Sequence, residues 1–161
     1  MARASKINLS DYLPYLVNRV GSALAVRFTQ EVLAQHGLSV ALWRVLAALS
    51  HAGAQRQIDL AELTSIDVST LSRLVTKLVA MGLVTRAPSK ISNREVTVEL
   101  SSKGTRLVHE LIPAAHRWEA LTAASISAAD LQVVKRCLRQ MYRNLTDAPA
   151  ADRRSVGCFS R

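Results

Sequence analysis

The apolar period of the chain changes at Gly82, and that change decides what the surrounding residues can build. Before it, in DVSTLSRLVTKLVAMGLVTR (67–86), Leu71, Leu74, Val75 and Leu78 recur on one stripe of a helix. After it, LVTRAPSKISNREVTVEL (83–100) is rich in β-branched residues. It alternates in EVTVEL and carries a Pro-Ser-Lys-Ile-Ser-Asn tip, which predicts a β-hairpin. A shorter helix, QIDLAELTS (57–65), comes first, and Ser-Ile-Asp (65–67) is the turn between the two helices. Two short helices followed directly by a hairpin form a winged helix-turn-helix pattern.

The flanks are helical. Residues 10–36 keep helical spacing through Leu13, Leu16, Val17, Val20 and Leu24, with Ser10 placed to cap, Pro14 in the first turn and Gly37 as the stop. Ser39 starts SVALWRVLAALSHAG, with Leu42, Val45, Leu46 and Leu49 inward and Gly53 at the end. A long helix begins at SSKGTRLVHELIPAAHRWEAL. The last, SAADLQVVKRCLRQMYRNL, has Ser127 to cap it, Asp130 in a box-like position, and a stripe of Leu131, Val134, Leu138, Met141 and Leu145. From Thr146 onward no period remains, and a mobile tail is expected. The fold class is therefore mainly α with a small β-hairpin wing.

Composition narrows the function. Apolar residues make up 49% of the chain and aromatics only 4%, so the core must be aliphatic. The net charge of +9 is spread along the sequence, which points to a folded basic surface and to polyanionic partners, nucleic acid ahead of anionic membrane. No uncharged run approaches the ~20 residues of a spanning helix. The N-terminal residues lack the apolar core of a signal peptide, so no membrane partner and a cytoplasmic location are expected. Cys137 and Cys158 make no disulfide framework, and Cys137, in an apolar helical pattern, is expected to be a buried inert thiol. His109 and His116 share a helix face without a third ligand, so no metal is expected. No phosphate-cradling loop, nucleophile–base arrangement or carboxylate pair is present, so neither an enzyme nor a cofactor is expected.

The outer face of the 67–86 helix carries Ser69, Thr70, Ser72, Arg73, Thr76 and Lys77, without a carboxylate among them. Such a face suits a DNA major groove. Ser69, Thr70 and Ser72 can meet phosphates or base edges. Arg73 can reach guanine O6 and N7, and Lys77 with Thr76 lies further along, the lysine on phosphate. The alternative is an ordinary solvated face, against which the missing acids and the following wing both argue. Arg94, at the hairpin edge, can enter a narrow minor groove or be a solvated turn cation. Arg86 and Lys90 flank the hairpin as phosphate contacts or as plain surface charges.

These segments together resemble the MarR family of transcriptional regulators. The residues that carry the resemblance are DLAELTSIDVSTLSRLVTKLVAMGLVTR and NREVTVELSSKGTRLV. The family's E-L-A is here Asp59-Leu60-Ala61, and its S-T-V-S/T-R-L-V is Ser69 to Val75. Its L-x-x-x-G-L-V-x-R is Leu78 to Arg86, and its L-T-x-x-G is Leu100-Ser101 to Gly104. The wing's D-x-R becomes Ser92-Asn93-Arg94, which keeps the arginine and loses the acid that braces it. The resemblance implies a homodimer on double-stranded DNA, binding a pseudo-palindromic operator and more often repressing than activating. Residues 1–38 and 101–145 would hold the dimerisation helices, 39–100 the DNA-binding domain and 146–161 the tail. It also implies a small aromatic or anionic effector, for which Tyr12, Arg19, His36, Trp43 and Arg117 are lining candidates, with core and interface packing as their plainer role. Thiol or metal sensing on the same scaffold, or an interaction module that has lost DNA binding, are the alternatives.

Overall fold

The computed structural model describes residues 6–88 and 96–147. By its internal contacts the chain divides into two compact units, Met1–Trp118 and Glu119–Arg161. Helix α1 spans Leu13–Phe28 and continues as one π turn, Thr29–Leu33, and one 3-10 turn, Ala34–His36. Gly37 ends it in the left-handed region, at φ 66°, and Leu38 N–H closes back on the Leu33 carbonyl. The expected start at Ser10 is corrected. Asn8 caps a separate 3-10 turn, Leu9–Asp11, and its carboxamide oxygen takes both the Ser10 N–H and the Ser10 hydroxyl. Tyr12 then stands at the N-cap without a side-chain bond, and Pro14, which has no N–H to cap, lies in the first turn.

Helix α2, Val40–Ala52, is capped by Ser39 as its sequence predicts. Strand β1 is only Gln55–Arg56, and α3 follows at Gln57–Thr64. Helix α4 spans Val68–Ala80. Strands β2, Val84–Pro88, and β3, Val96–Leu100, form the hairpin, paired antiparallel from Val84↔Leu100 to Pro88↔Val96. The sheet order is β1-β3-β2, with Gln55 opposite Val98. The hairpin tip lies outside the described residues, as do residues 148–161 of the expected tail; Thr146 itself closes α6.

The first unit has an aliphatic core, as the scarcity of aromatics requires. Leu42, Val45, Leu46 and Leu49 of α2 meet Leu60 of α3, Leu71, Val75 and Leu78 of α4, Val84 and Val98 of the sheet, and Val108 and Leu111 of α5. These α4 residues are the stripe read from the sequence, with Leu74 half-buried beside them. Phe28 packs edge-on to Trp43 and tilted against Trp118, and the Arg27 guanidinium lies 5.7 Å from the centre of the Trp118 ring.

Helix α5, Ser102–Thr122, runs through Pro113, and α6, Ala128–Thr146, is capped by Ser127, whose hydroxyl takes the Asp130 N–H. Within the second unit Lys135 pairs with Glu119. Helix α6 buries none of its residues, and Cys137 is exposed, contrary to the buried thiol its apolar surroundings suggested. Of the apolar stripe on α6, Leu131 and Met141 are half-buried, and Val134, Leu138 and Leu145 are exposed among the described residues. Among the described residues no single helix is long and apolar enough to cross a membrane. The bent pair Leu13–His36 and Val40–Ala52 passes by length and composition alone, and the inner face of its second member is spent on the core.

Candidate nucleic-acid interface

The α3–α4 turn is locked from three sides. Thr64 is buried and donates to the Leu60 carbonyl. Ser65 adopts the left-handed region, at φ 53°, and Ile66 N–H returns to the Ala61 carbonyl, a helix stop usually given to glycine. From α2, Arg44 donates to the Thr64 carbonyl. Asp67 then opens α4. Its carboxylate takes the Thr70 N–H at 2.8 Å and the Ser69 hydroxyl at 2.7 Å. Those bonds to Thr70 and Ser69, with a smaller effect of the Arg73 charge, hold the Asp67 carboxyl far below the usual carboxylate range. Asp67 is thus an ionised cap already engaged by its own helix. It leaves the stretch from Val68 to Arg86 free of carboxylate.

Of the six α4 residues predicted to face outward, Ser69, Arg73, Thr76 and Lys77 are exposed, while Thr70 and Ser72 are half-buried. They are linked. Arg73 Nη2 donates to Thr70 Oγ1 at 3.1 Å, which turns its guanidinium toward the N-terminal half of the helix. Thr76 donates to the Ser72 carbonyl at 2.9 Å and accepts from Arg86 Nη2 at 3.0 Å. Arg86 comes from β2, and the fold brings it onto the face of α4, a placement that its sequence neighbours do not reveal. Val68, at the first position of α4, is 52% exposed and adds an apolar group to the same end. Lys90 and Arg94, with Ser92, lie outside the described residues.

Tyr12 is exposed at the N-cap of α1 and Arg19 within it, Arg117 is exposed on α5, and Trp43 is half-buried against Phe28. His36 lines a cleft with Met81 and Leu83, just beyond α4, and residues of α5, and the other four are not among its walls. Among the described residues no group of His, Cys, Asp and Glu is arranged to hold a metal.

The far end of α4 is held as firmly as its start. Ser101, just ahead of α5, and Lys103 in its first turn satisfy three successive carbonyls there: Lys103 Nζ donates to Met81, Ser101 Oγ to Gly82 and Ser101 N–H to Leu83. Ser101 Oγ also accepts the Gly104 N–H.

Two helices joined by a locked turn, followed by a hairpin, make this a winged helix-turn-helix protein. The MarR family model matches residues 38–96. The chain is 32% identical over 96 residues to the HTH-type transcriptional repressor NicR of Pseudomonas putida, a stretch that covers 60% of this chain and 61% of NicR. It is 30% identical to a MarR family transcriptional regulator of Silicibacter pomeroyi, with a TM-score of 0.79, covering 90% of this chain and 97% of that one. It is 27% identical to BpsR of Bordetella bronchiseptica, whose DNA binding is regulated by 6-hydroxynicotinic acid. There the TM-score is 0.73, and the match covers 81% of this chain and 98% of BpsR. The chain belongs to the MarR family of transcriptional regulators.

Proposed function

We propose that this regulator binds a pseudo-palindromic operator as a homodimer, represses from it, and is released by a small anionic aromatic effector. The observation that carries the reading is the α4 face, where Arg73 and Arg86 are both oriented by threonine hydroxyls and the stretch from Val68 to Arg86 contains no carboxylate. In this reading Val68–Lys77 enters a major groove, Arg73 reads guanine and Val68 packs on a thymine methyl. Ser69, Lys77, Arg86 and Lys90 hold phosphate, and Arg94 takes the flanking minor groove. The likeness to NicR, a repressor, supports the sign of regulation, and the likeness to BpsR supports an effector of that class. The effector acts by preferring a dimer shape whose α4 helices no longer match the operator spacing.

The test is binding to the intergenic DNA upstream of its own gene across a salt series, beside an Arg73→Ala/Arg94→Ala double variant. Tight binding by the wild type with a steep salt slope, lost in the variant, is expected. Equal, weak binding by both, with no preferred sequence recovered from random DNA, would overturn the reading and favour an interaction module.

A further inference from the structure

The second unit carries charge that nothing in the chain uses. On α6, Arg136, Arg139 and Arg143 follow one another at three and four residues, hence in one row on one face, and all three are exposed. Their side chains enter no hydrogen bond or ion pair among the described residues. The described acids of the same unit are engaged elsewhere: Glu119 pairs with Lys135, Asp130 accepts the Ser127 hydroxyl and Asp147 the Thr146 hydroxyl. At 3.6 residues per turn the row lies on the far side of the helix from Val134, Leu138 and Leu145. A second copy seated on that apolar stripe would leave the arginines in water.

We infer that the outer face of α6 is a second site for duplex DNA, distinct from the α4 face, which holds the phosphate backbone without reading sequence. Charge alone would fit any polyanion, and the make-up of the helix selects among them. Seven residues of helix carry the row over about 10 Å, and each strand of a duplex sets a phosphate every ~3.4 Å along its axis. The three guanidiniums therefore meet a rigid, ready-made line of acceptors of the kind they bind best. A single strand needs a succession of aromatic rings for its bases, and α6 has one aromatic residue, Tyr142. An acidic peptide would have to be ordered on binding, and Val134, Leu138 and Leu145, which could anchor it, face the other way. An anionic membrane would take α6 by that same stripe, and these cations point away from it. The site goes beyond the reading given to α4 and does not rest on it.

The full chain is bound to a short random-sequence DNA duplex across a salt series. Arg136→Gln/Arg143→Gln should flatten the slope of log affinity against log salt by about 2 for each row engaged. Glutamine keeps the helix, so the light-scattering mass and helix content should stay as in the wild type. Arg136→Lys/Arg143→Lys, which keeps the charge, should keep the slope. Lys6→Gln/Arg106→Gln removes the same charge from exposed positions elsewhere and should leave the slope as it is. An unchanged slope in the α6 glutamine pair, or no affinity of the wild type for the duplex at low salt, overturns the proposal. So does an equal fall in Lys6→Gln/Arg106→Gln, which would mean that the duplex feels only the summed charge. Polyglutamate binding that is lost in the α6 glutamine pair while duplex binding is kept would also overturn it, and would give the face to an acidic protein segment. None of these variants alters α4 or the wing, so a failed operator experiment leaves this result standing, and the reverse holds too.

Discussion

Gly104 shows how a single residue can be fixed by a neighbour's backbone. A Cβ built there lies 1.9 Å from the Leu83 oxygen and 3.0 Å from the Leu83 carbon. Neither atom can yield, because the same Leu83 carbonyl accepts the Ser101 N–H and Leu83 leads directly into β2. Gly104 is therefore required by close approach, not by an unusual φ. Gly104→Ala should lower stability by about 3 kcal/mol, at the upper end of overpacking costs, read from the urea midpoint. Gly21, within α1, supplies the opposite arm. A Cβ there meets nothing within 4 Å, so Gly21→Ala should raise stability by about 0.5–1 kcal/mol through helix propensity alone. Equal effects at the two sites would mean that the α4–α5 junction does not hold Leu83 as described.

At the scale of elements, what the sequence reveals is what neighbours in sequence decide. The α4 stripe, the Ser39 and Ser127 caps, the stops at Gly37 and Gly82 and the hairpin strands are all local patterns, and all are present. What it hides depends on partners far along the chain. Strand β1 is two polar residues with no periodicity of their own, paired only because β3 passes beside them. The Ser65 stop is read by no glycine, and Arg44 finds the Thr64 carbonyl across twenty positions of sequence. Arg86 is the case that matters for the candidate site. It lies ten positions from Thr76, and the α4–β2 turn folds it back onto the outer face of α4. If Arg73 reads a base and Arg86 a phosphate, their substitutions should differ in kind. Arg73→Ala should cost about 1–3 kcal/mol and relax one operator position. Arg86→Ala should weaken all operator variants alike and reduce the salt slope by about 1. Competition binding with single-base operator variants separates the two patterns, and a position-specific loss for Arg86→Ala would assign it to base reading instead.

For the whole molecule, the question is what covers the apolar residues left in water. In the second unit α6 buries nothing, and Val134, Leu138 and Leu145 of its stripe are exposed, the last by 76%. In the first unit Leu13, Val17 and Val20 of α1 are exposed in the same way. Helices with so regular a stripe keep it for an apolar partner, and in the proposed homodimer a second copy of the chain would supply the same stripe by two-fold symmetry. Light scattering should then give the wild type twice the 17.6 kDa chain mass. Leu138→Asp would bury an unpaired carboxylate from each copy, which costs far more than it does in water, so the variant should run at one chain mass. Its helix content should not fall before dissociation, because Leu138 is exposed in the single chain and lies outside the buried core. Operator binding should drop by about 100-fold or more, since one winged domain then holds one half-site without the second engagement that a dimer provides. A Leu138→Asp protein that stays dimeric would move the interface off α6. A monomer that keeps full operator affinity would break the link between two-fold symmetry and DNA reading.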